Sequence, residues 1–169
     1  MLARSTGREV GAGGSSSSRS DAQLGPSSAY LGCLLLGSHC QLEIGGVLHP
    51  FAGSIGLAQN VYPGPFTVIF GQVGVSLGQD KLIAMLGRIL PSHHVVPPVG
   101  TIIRSVGDDQ RPTKIGADVW LGAGVTVLGG VSLGDGWVVR AGAVGTRDLP
   151  PGSYAAGVPA TVWRQRTVR

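Results

Sequence analysis

Aliphatic residues recur at every sixth position through much of the second half of the chain. Residues 115–144 divide into five consecutive hexads, IGADVW, LGAGVT, VLGGVS, LGDGWV and VRAGAV. Each hexad begins with an aliphatic residue and carries Val, Trp or Ala at its fifth position. This period is too short for a helix-turn-helix repeat, and it does not fit the roughly 3.6-residue spacing of an amphipathic helix. The pattern predicts very short strands that are joined by tight turns.

The apolar positions of the hexads indicate how these strands pack. The first residue of each hexad would stack inside a coil, and burying each such side chain stabilises the fold by about 1.5–3 kcal/mol. These first residues are Ile115, Leu121, Val127, Leu133 and Val139. We therefore predict an all-β fold, a β-helix with triangular turns of three hexads spaced about 4.8 Å apart. The alternative, a sandwich of Gly- and Val-rich strands, alternates with a period of two and does not produce hexads in phase.

The hexad phase continues less regularly into the first half of the chain. Three hexads occupy residues 57–74 and three more occupy residues 77–94, and Phe51 can begin another in the same phase. Between the two sets, Val75 and Ser76 are predicted to be extra residues in a loop or bulge. The coil is thus expected to contain nearly four turns.

The period is lost after residue 94, where a histidine pair precedes a long loop. Residues 95–114 carry no hexad phase, and a long loop that leaves a rigid scaffold is usually functional or disordered. His93 falls at a fifth position and is predicted to lean inward, whereas His94 is predicted to face outward. An outward imidazole beside a neighbouring molecule's coil can remove a proton from a hydroxyl group at neutral pH. His94 is therefore the candidate general base.

Length and composition favour one folded domain behind a polar extension. A chain of 169 residues and 17.2 kDa can bury one core, and its 29 glycines suit a turn-dense β-helix. Residues 1–28 are of low complexity and are predicted to be a disordered N-terminal extension, with the β-helix domain over 29–169. The apolar run 29–36 is shorter than the ~20 residues that cross a bilayer, so we expect it to start the coil.

Charge and cysteine content limit the partners and the compartment. The net charge of +4 is spread along the chain, which argues against a nucleic-acid partner. Cys33 and Cys40 form no disulfide framework and are predicted to be buried thiols in a reducing compartment. Without a secretory signal pattern, the expected location is the cytoplasm. The C-terminal Arg164, Arg166 and Arg169 suit either a solvated tail or a pocket for a phosphorylated cofactor.

Three motifs together carry a resemblance to a known family. They are PTKIGADVWLGAGVTVLGGV at 112–131, GTRDLPP at 145–151 and AGVPATVWR at 156–164. Over residues of about 55–165 the chain resembles the hexapeptide-repeat acyltransferases, in the branch of the sugar, maltose and polysaccharide O-acetyltransferases. The resemblance implies a left-handed β-helix with a short C-terminal cap. It also implies a homotrimer with active sites between subunits, acetyl-CoA as co-substrate and no metal.

The same resemblance supports the catalytic histidine. The family's base matches His94, which follows Ile83 by eleven residues and precedes Gly116 by twenty-two. It would deprotonate an acceptor hydroxyl that attacks the thioester directly. By the same resemblance Trp120 would wall the site, although a core or interface aromatic is the alternative reading for this residue. A saccharide is the expected acceptor, and an antibiotic is the alternative.

The resemblance also implies which residues hold the cofactor. Ala123 would offer its backbone N–H to the thioester oxygen, and Ala141 would contact the pantetheine arm. Thr146, Arg147 and Arg164 would meet the amide and phosphate end of the cofactor. Arg147 stands where the family commonly has Lys, which preserves the positive charge.

The chain departs from the family pattern around the histidine. His93 replaces an asparagine, and the usual polar or acidic residues after the base are replaced by the apolar segment 95–98. No carboxylate for orienting the imidazole lies nearby in sequence, although Asp108 or Asp109 can return to it. The acceptor site can therefore be apolar or remodelled.

Two other function classes remain open on sequence grounds. A non-catalytic β-helical scaffold would bind no CoA. A zinc-dependent carbonic anhydrase can use this fold but needs three converging histidines. His39 and His49 lie in the irregular entry region and no histidine follows residue 94, which disfavours such a metal site.

Overall fold

The chain folds as a left-handed parallel β-helix, which a computed structural model describes for residues 32–167. The predicted fold class is confirmed, whereas the predicted disordered extension lies outside the described residues. The strands are β1 (Cys33–Leu36), β2 (Val47–His49), β3 (Ser54–Leu57), β4 (Val61–Pro63), β5 (Val68–Phe70), β6 (Val75–Leu77), β7 (Lys81–Ile83), β8 (Arg88–Leu90), β9 (Ser92–His94), β10 (Asp108–Gln110), β11 (Thr113–Ile115), β12 (Trp120–Leu121), β13 (Thr126–Leu128), β14 (Ser132–Leu133), β15 (Val138–Val139), β16 (Val144–Gly145), β17 (Ser153–Ala156) and β18 (Thr161–Gln165).

Three sheets form the walls of the coil. Sheet 1 contains β1, β3, β6, β11 and β14. Sheet 2 contains β4, β7, β12, β15, β17 and β18. Sheet 3 contains β2, β5, β8, β13 and β16. Successive strands pass from sheet 1 to sheet 2 to sheet 3, so each set of three makes one coil. Strand β18 turns back antiparallel to β17 and forms the short C-terminal cap. We name the bends between sheets corner 1–2, corner 2–3 and corner 3–1.

The hexad residues fill the interior as the period predicts. Every first and fifth residue of the five hexads in 115–144 is at most 4% exposed. Equivalent residues align between coils, so that Leu57, Leu77, Ile115 and Leu133 form one continuous line in sheet 1. Each coil therefore covers the apolar core of the next.

Two predicted interruptions of the coil differ in detail from the structure. Val75 is 2% exposed inside β6 and Val73 is exposed, so the extra residues lie in the turn before Val75 rather than at Val75 and Ser76. The coil also resumes before the predicted end of the loop, because Thr113 is fully buried at the start of β11. In both places register with the neighbouring coils determines which residue faces inward.

A lysine occupies one inward position of the coil. Lys81 is 1% exposed in β7, and its Nζ donates hydrogen bonds to the backbone oxygens of Ile115, at 3.4 Å, and Gly116. Burial lowers the pKa of Lys81 from 10.5 to about 8, and the carboxylates of Asp135 and Asp118 partly oppose this change. The amine thus ties β7 to corner 1–2 of the next coil.

The N-terminal end of the described chain corrects one expectation. Strand β1 begins the coil, as predicted, and pairs with β3 at the edge of sheet 1. Cys33 is exposed and Cys40 is half-buried, so the prediction of two buried thiols is wrong. An edge strand has a neighbouring strand on only one side, which leaves Cys33 accessible. No helix within residues 32–167 has the length and hydropathy needed to span a bilayer.

Candidate functional site

The excursion loop leaves corner 3–1 as a short hairpin. Strands β9 and β10 pair antiparallel, with His94 opposite Asp108 and His93 opposite Asp109. Neighbouring side chains on a strand point to opposite faces, so each histidine is matched with one carboxylate. The hairpin therefore brings together imidazole and carboxylate groups that are distant in sequence.

His94 forms a short contact with a carboxylate. Its Nδ1 lies 2.6 Å from Oδ1 of Asp108, while the His94 side chain remains 66% exposed. A carboxylate at Nδ1 favours the tautomer with hydrogen on that nitrogen, which leaves Nε2 able to accept a proton. Among the described residues, no hydrogen bond involves Nε2 of His94. The pair thus has the arrangement of an oriented, solvent-accessible general base.

His93 has a different environment, and the prediction that it leans inward is wrong. Its side chain is 54% exposed because β9 has already left the coil, and its Nε2 lies 3.6 Å from Asp109 Oδ2. The same oxygen lies 2.9 Å from a guanidinium nitrogen of Arg111, so Asp109 is mainly paired with arginine. This contact closes the base of the hairpin.

Ala123 and Ala141 lie one above the other at corner 2–3. The N–H of Gly142 donates to the oxygen of Ala123 at 2.8 Å, which joins the two bends. Within residues 32–167, neither Ala123 nor Ala141 donates its own backbone N–H to another residue. A Cβ at Gly122 would lie 2.5 Å from the nitrogen of Ala141, so only glycine permits this close stacking. The corner therefore presents two unpaired N–H donors beside small side chains.

Trp120 lies on the outer face of sheet 2. It is 51% exposed and aligns with Leu82 and Val138 in the neighbouring coils. The exposure excludes the core-aromatic reading. The indole borders a shallow depression of about 200 Å³ that Tyr154 and Arg166 also line.

The residues predicted to meet the amide and phosphate end of the cofactor fall into two places. Thr146 and Arg147 are exposed at corner 3–1, beyond β16. Arg164 lies in β18, with its guanidinium carbon 5.7 Å from the centre of the Tyr154 ring. A residue that the sequence did not single out, Arg140, lies beside Ala141 and stacks over Trp163 at 4.5 Å. Its position in the corner became evident only from the fold.

One chain does not bring these residues into a single cleft. His94 belongs to corner 3–1, whereas Ala123 and Ala141 belong to corner 2–3, at the opposite end of the strands of sheet 3. A site that uses both corners needs a second copy of the chain. No group of three or more His, Cys, Asp or Glu residues in the described range 32–167 could hold a metal ion.

Comparison with known proteins gives a family match and a relative of known activity. The family described as hexapeptide repeat of succinyl-transferase matches residues 112–147. Galactoside O-acetyltransferase from Escherichia coli strain K12 is 33% identical over 120 residues, which cover 70% of this chain and 58% of that protein. The chain thus spans less than two thirds of the length of that relative.

Two solved structures share the fold. A variant of an N-acyltransferase from Bacillus cereus, in complex with dTDP and coenzyme A, superposes with a TM-score of 0.70 at 16% identity, over 79% of this chain and 74% of that chain. A maltose O-acetyltransferase from Clostridium difficile 630 superposes with a TM-score of 0.61 at 24% identity, over 83% and 70%. At these identities the likeness establishes the fold alone.

Proposed function

Because this chain belongs to the hexapeptide-repeat acyltransferase superfamily, in its sugar O-acetyltransferase-like branch, we propose that it is a CoA-dependent O-acetyltransferase. It transfers an acetyl group from acetyl-CoA to a hydroxyl group of a saccharide. The galactoside O-acetyltransferase relative supports this acceptor class, and the bound coenzyme A of the Bacillus cereus protein supports the donor. Dependence on acetyl-CoA, a metabolite of the cell interior, is the reason to propose a cytoplasmic location.

The observation that carries the proposal is the contact between His94 and Asp108. With Nδ1 held 2.6 Å from the carboxylate, Nε2 takes the proton of the acceptor hydroxyl as its oxygen attacks the thioester carbon. The C–O bond forms, a tetrahedral oxyanion results, and the C–S bond then breaks. The departing thiolate receives the proton from the imidazolium, which restores the neutral base. General-base assistance of this kind is worth about 10²–10⁴ in rate.

The acyl donor lies along corner 2–3 in this proposal. The free N–H of Ala123 stabilises the oxyanion, and the free N–H of Ala141 donates a hydrogen bond to a carbonyl oxygen of the pantetheine arm. Small side chains at both positions let the cofactor approach the backbone. Thr146 and Arg147 of the neighbouring chain, at corner 3–1 like His94, and Arg164 bind its amide and phosphate groups.

A homotrimer completes the site. Each of the three interfaces would bring the hairpin of one chain to corner 2–3 of its neighbour, which a cyclic arrangement repeats identically. Trp120, exposed on sheet 2 next to that corner, would form one wall of the cleft. Three equivalent sites follow from the symmetry.

Release of free thiol from acetyl-CoA, measured with a panel of glycosides, tests the proposal. The His94→Ala variant should lose roughly 10²–10⁴ of the rate, while His93→Ala should stay within a few-fold of the unmodified protein. Near-normal transfer by His94→Ala, with loss in His93→Ala, would contradict the assignment. A protein that binds no CoA in calorimetry would instead be a non-catalytic scaffold.

A further inference from the structure

Strand β18, which carries Arg164, is only lightly attached to the coil. It lies at the edge of sheet 2 and pairs with β17, in a ladder whose register shifts between Tyr154 and Ala155. None of its side chains is buried, and only Val162 is half-buried. A terminal strand with so few buried contacts opens at little cost in free energy. The position of Arg164 therefore depends on what else holds this strand.

Arg166, the first residue after β18, ties the strand to corner 1–2. Its Nη1 donates hydrogen bonds to Oδ2 of Asp118 at 2.7 Å and to the oxygen of Gly136 at 3.0 Å. Its backbone N–H donates to the oxygen of Gly152 at 2.6 Å. These three partners precede β12, β15 and β17, which are neighbouring strands of sheet 2. One arginine thus fastens the end of β18 to three consecutive coils, and we call its contact with Asp118 the latch.

The backbone at corner 1–2 explains why an aspartate can occupy this position. Asp118 has a φ of +53°, in the left-handed region that Asp and Asn adopt more readily than other side chains. Asp80 has the same conformation in the preceding coil, with a φ of +55°, and accepts a hydrogen bond from Asn60 at 2.8 Å. Asp80 thus has a partner at its own corner, whereas Asp118 is paired with Arg166.

The latch engages one of three guanidinium groups that lie on or against the end of the chain. Arg140 stacks over Trp163 of β18 at 4.5 Å, and Arg164 lies two residues before Arg166. Within residues 32–167, Arg166 forms an ion pair with a carboxylate and the other two arginines do not. Arg164 therefore keeps its charge for an anionic ligand, at a place that is set by the strand.

We propose that the latch between Asp118 and Arg166 positions β18 so that Arg164 meets the phosphate end of acetyl-CoA. Both members of the latch are positioning residues, since they act through Arg164. The proposal rests on the proposed acetyl transfer and adds what sets its affinity for the donor. Without the latch, β18 must be ordered when the cofactor binds. That cost raises the KM for acetyl-CoA and leaves kcat unchanged, because it affects the ground state and the transition state equally.

Steady-state thiol release by Arg166→Gln and Asp118→Asn tests the latch. We expect the KM for acetyl-CoA to rise roughly three- to tenfold in Arg166→Gln. The rise should be smaller in Asp118→Asn, because the amide oxygen still accepts a neutral hydrogen bond. Values of kcat, and of the KM for the glycoside, should stay within about twofold. The double variant should match Arg166→Gln alone, because both changes remove the same contact.

The direction of the change in Asp118→Asn separates positioning from long-range electrostatics. Removing a carboxylate makes the surface more positive, which by itself would lower the KM for an anionic cofactor. Loss of positioning raises this KM instead. A KM that falls in Asp118→Asn would therefore overturn the proposal.

A truncated donor separates the latch from a general effect on the fold. S-acetyl-N-acetylcysteamine carries the thioester but lacks the phosphate and adenosine end of CoA. Both latch variants should use it with the same kcat/KM as the unmodified protein, and a parallel loss with this donor would overturn the proposal. The side chains of Arg166 and Asp118 are 39% and 67% exposed, so their separation should scarcely change thermal unfolding of the coil.

Asp80→Asn is the matched control for Asp118→Asn. It makes the same substitution at the equivalent corner position of the preceding coil, and it should leave the KM for acetyl-CoA unchanged. An unchanged KM in folded Arg166→Gln, or an equal rise in Asp80→Asn, would overturn the latch while the acetyltransferase function stands. Absence of thiol release by the unmodified protein with every donor and acceptor would contradict the proposed function, and the latch would fall with it.

Discussion

Replacing Lys81 with methionine should remove a rise in stability that the unmodified protein shows above about pH 8. The amine is 1% exposed, and burial lowers its pKa from 10.5 to about 8. In the unfolded chain the lysine keeps its proton up to its ordinary pKa. Between these two pH values the unfolded state binds more protons than the folded state, so the free energy of unfolding increases with pH.

The interval between the two pKa values sets the size of the effect. It corresponds to about 3 kcal/mol, gained progressively from about pH 8 to pH 10.5 and absent below pH 8. Lys81→Met has no such titration, although it leaves the oxygen of Gly116 without its Nζ donor, at a pH-independent cost of about 1–3 kcal/mol. The difference in stability between the two proteins should thus shift with pH in favour of lysine.

Urea unfolding at several pH values, at one fixed protein concentration, measures this difference. Other groups that titrate in the same range, such as tyrosines, cancel because both proteins contain them. Lys114→Met, at an exposed lysine on β11, is the matched control and should leave the pH dependence unchanged. The argument that the buried amine is costly when charged would be refuted by either of two results. The difference in unfolding free energy between the unmodified protein and Lys81→Met could stay constant from pH 7 to pH 10.5, or it could shift against lysine.

Three further changes test the site and the coil. In steady-state assays, Asp108→Asn should lower kcat by roughly 10²-fold, the lower limit of a general-base contribution, because the amide cannot stabilise the imidazolium of His94. The KM for acetyl-CoA should change little. Gly122→Ala should destabilise the coil by about 1–3 kcal/mol in thermal unfolding, because its Cβ would meet the nitrogen of Ala141 at 2.5 Å. Arg147→Glu should raise the KM for acetyl-CoA by roughly tenfold or more, and much less for acetyl-3′-dephospho-CoA, if the guanidinium binds phosphate.

The regular part of the coil could be predicted from the sequence because each hexad carries its own signal. In residues 115–144 the first and fifth positions are apolar in every repeat, so the phase is overdetermined. After β5 the phase of the hexads is ambiguous, because either Val73 or Val75 can occupy the inward position that completes the hexad. Only the register with Ile55 and Thr113 in neighbouring coils assigns the inward position to Val75.

The candidate base and its partner differ in how far the sequence could define them. His94 follows from its place at the end of the hexad phase and from the family resemblance. Asp108 could be named only as one of two possibilities, because its distance from the imidazole depends on the antiparallel register of β9 and β10. Lys81 stands at the fifth position of the hexad 77–82, which favours an inward side chain. The backbone oxygens that accept from its amine belong to the next coil and could not be identified from the sequence.

Subunit complementation tests most directly whether the site is shared between copies of the chain. His94→Ala removes the base from corner 3–1, and Ala123→Trp blocks the cofactor at corner 2–3, so each variant alone should be inactive. In an equimolar mixture of the two variants, random association into trimers should restore roughly a quarter of the normal sites, each joining His94 of one chain to Ala123 of another. Thiol release that stays at the level of the single variants in such assemblies would contradict an active site formed between subunits.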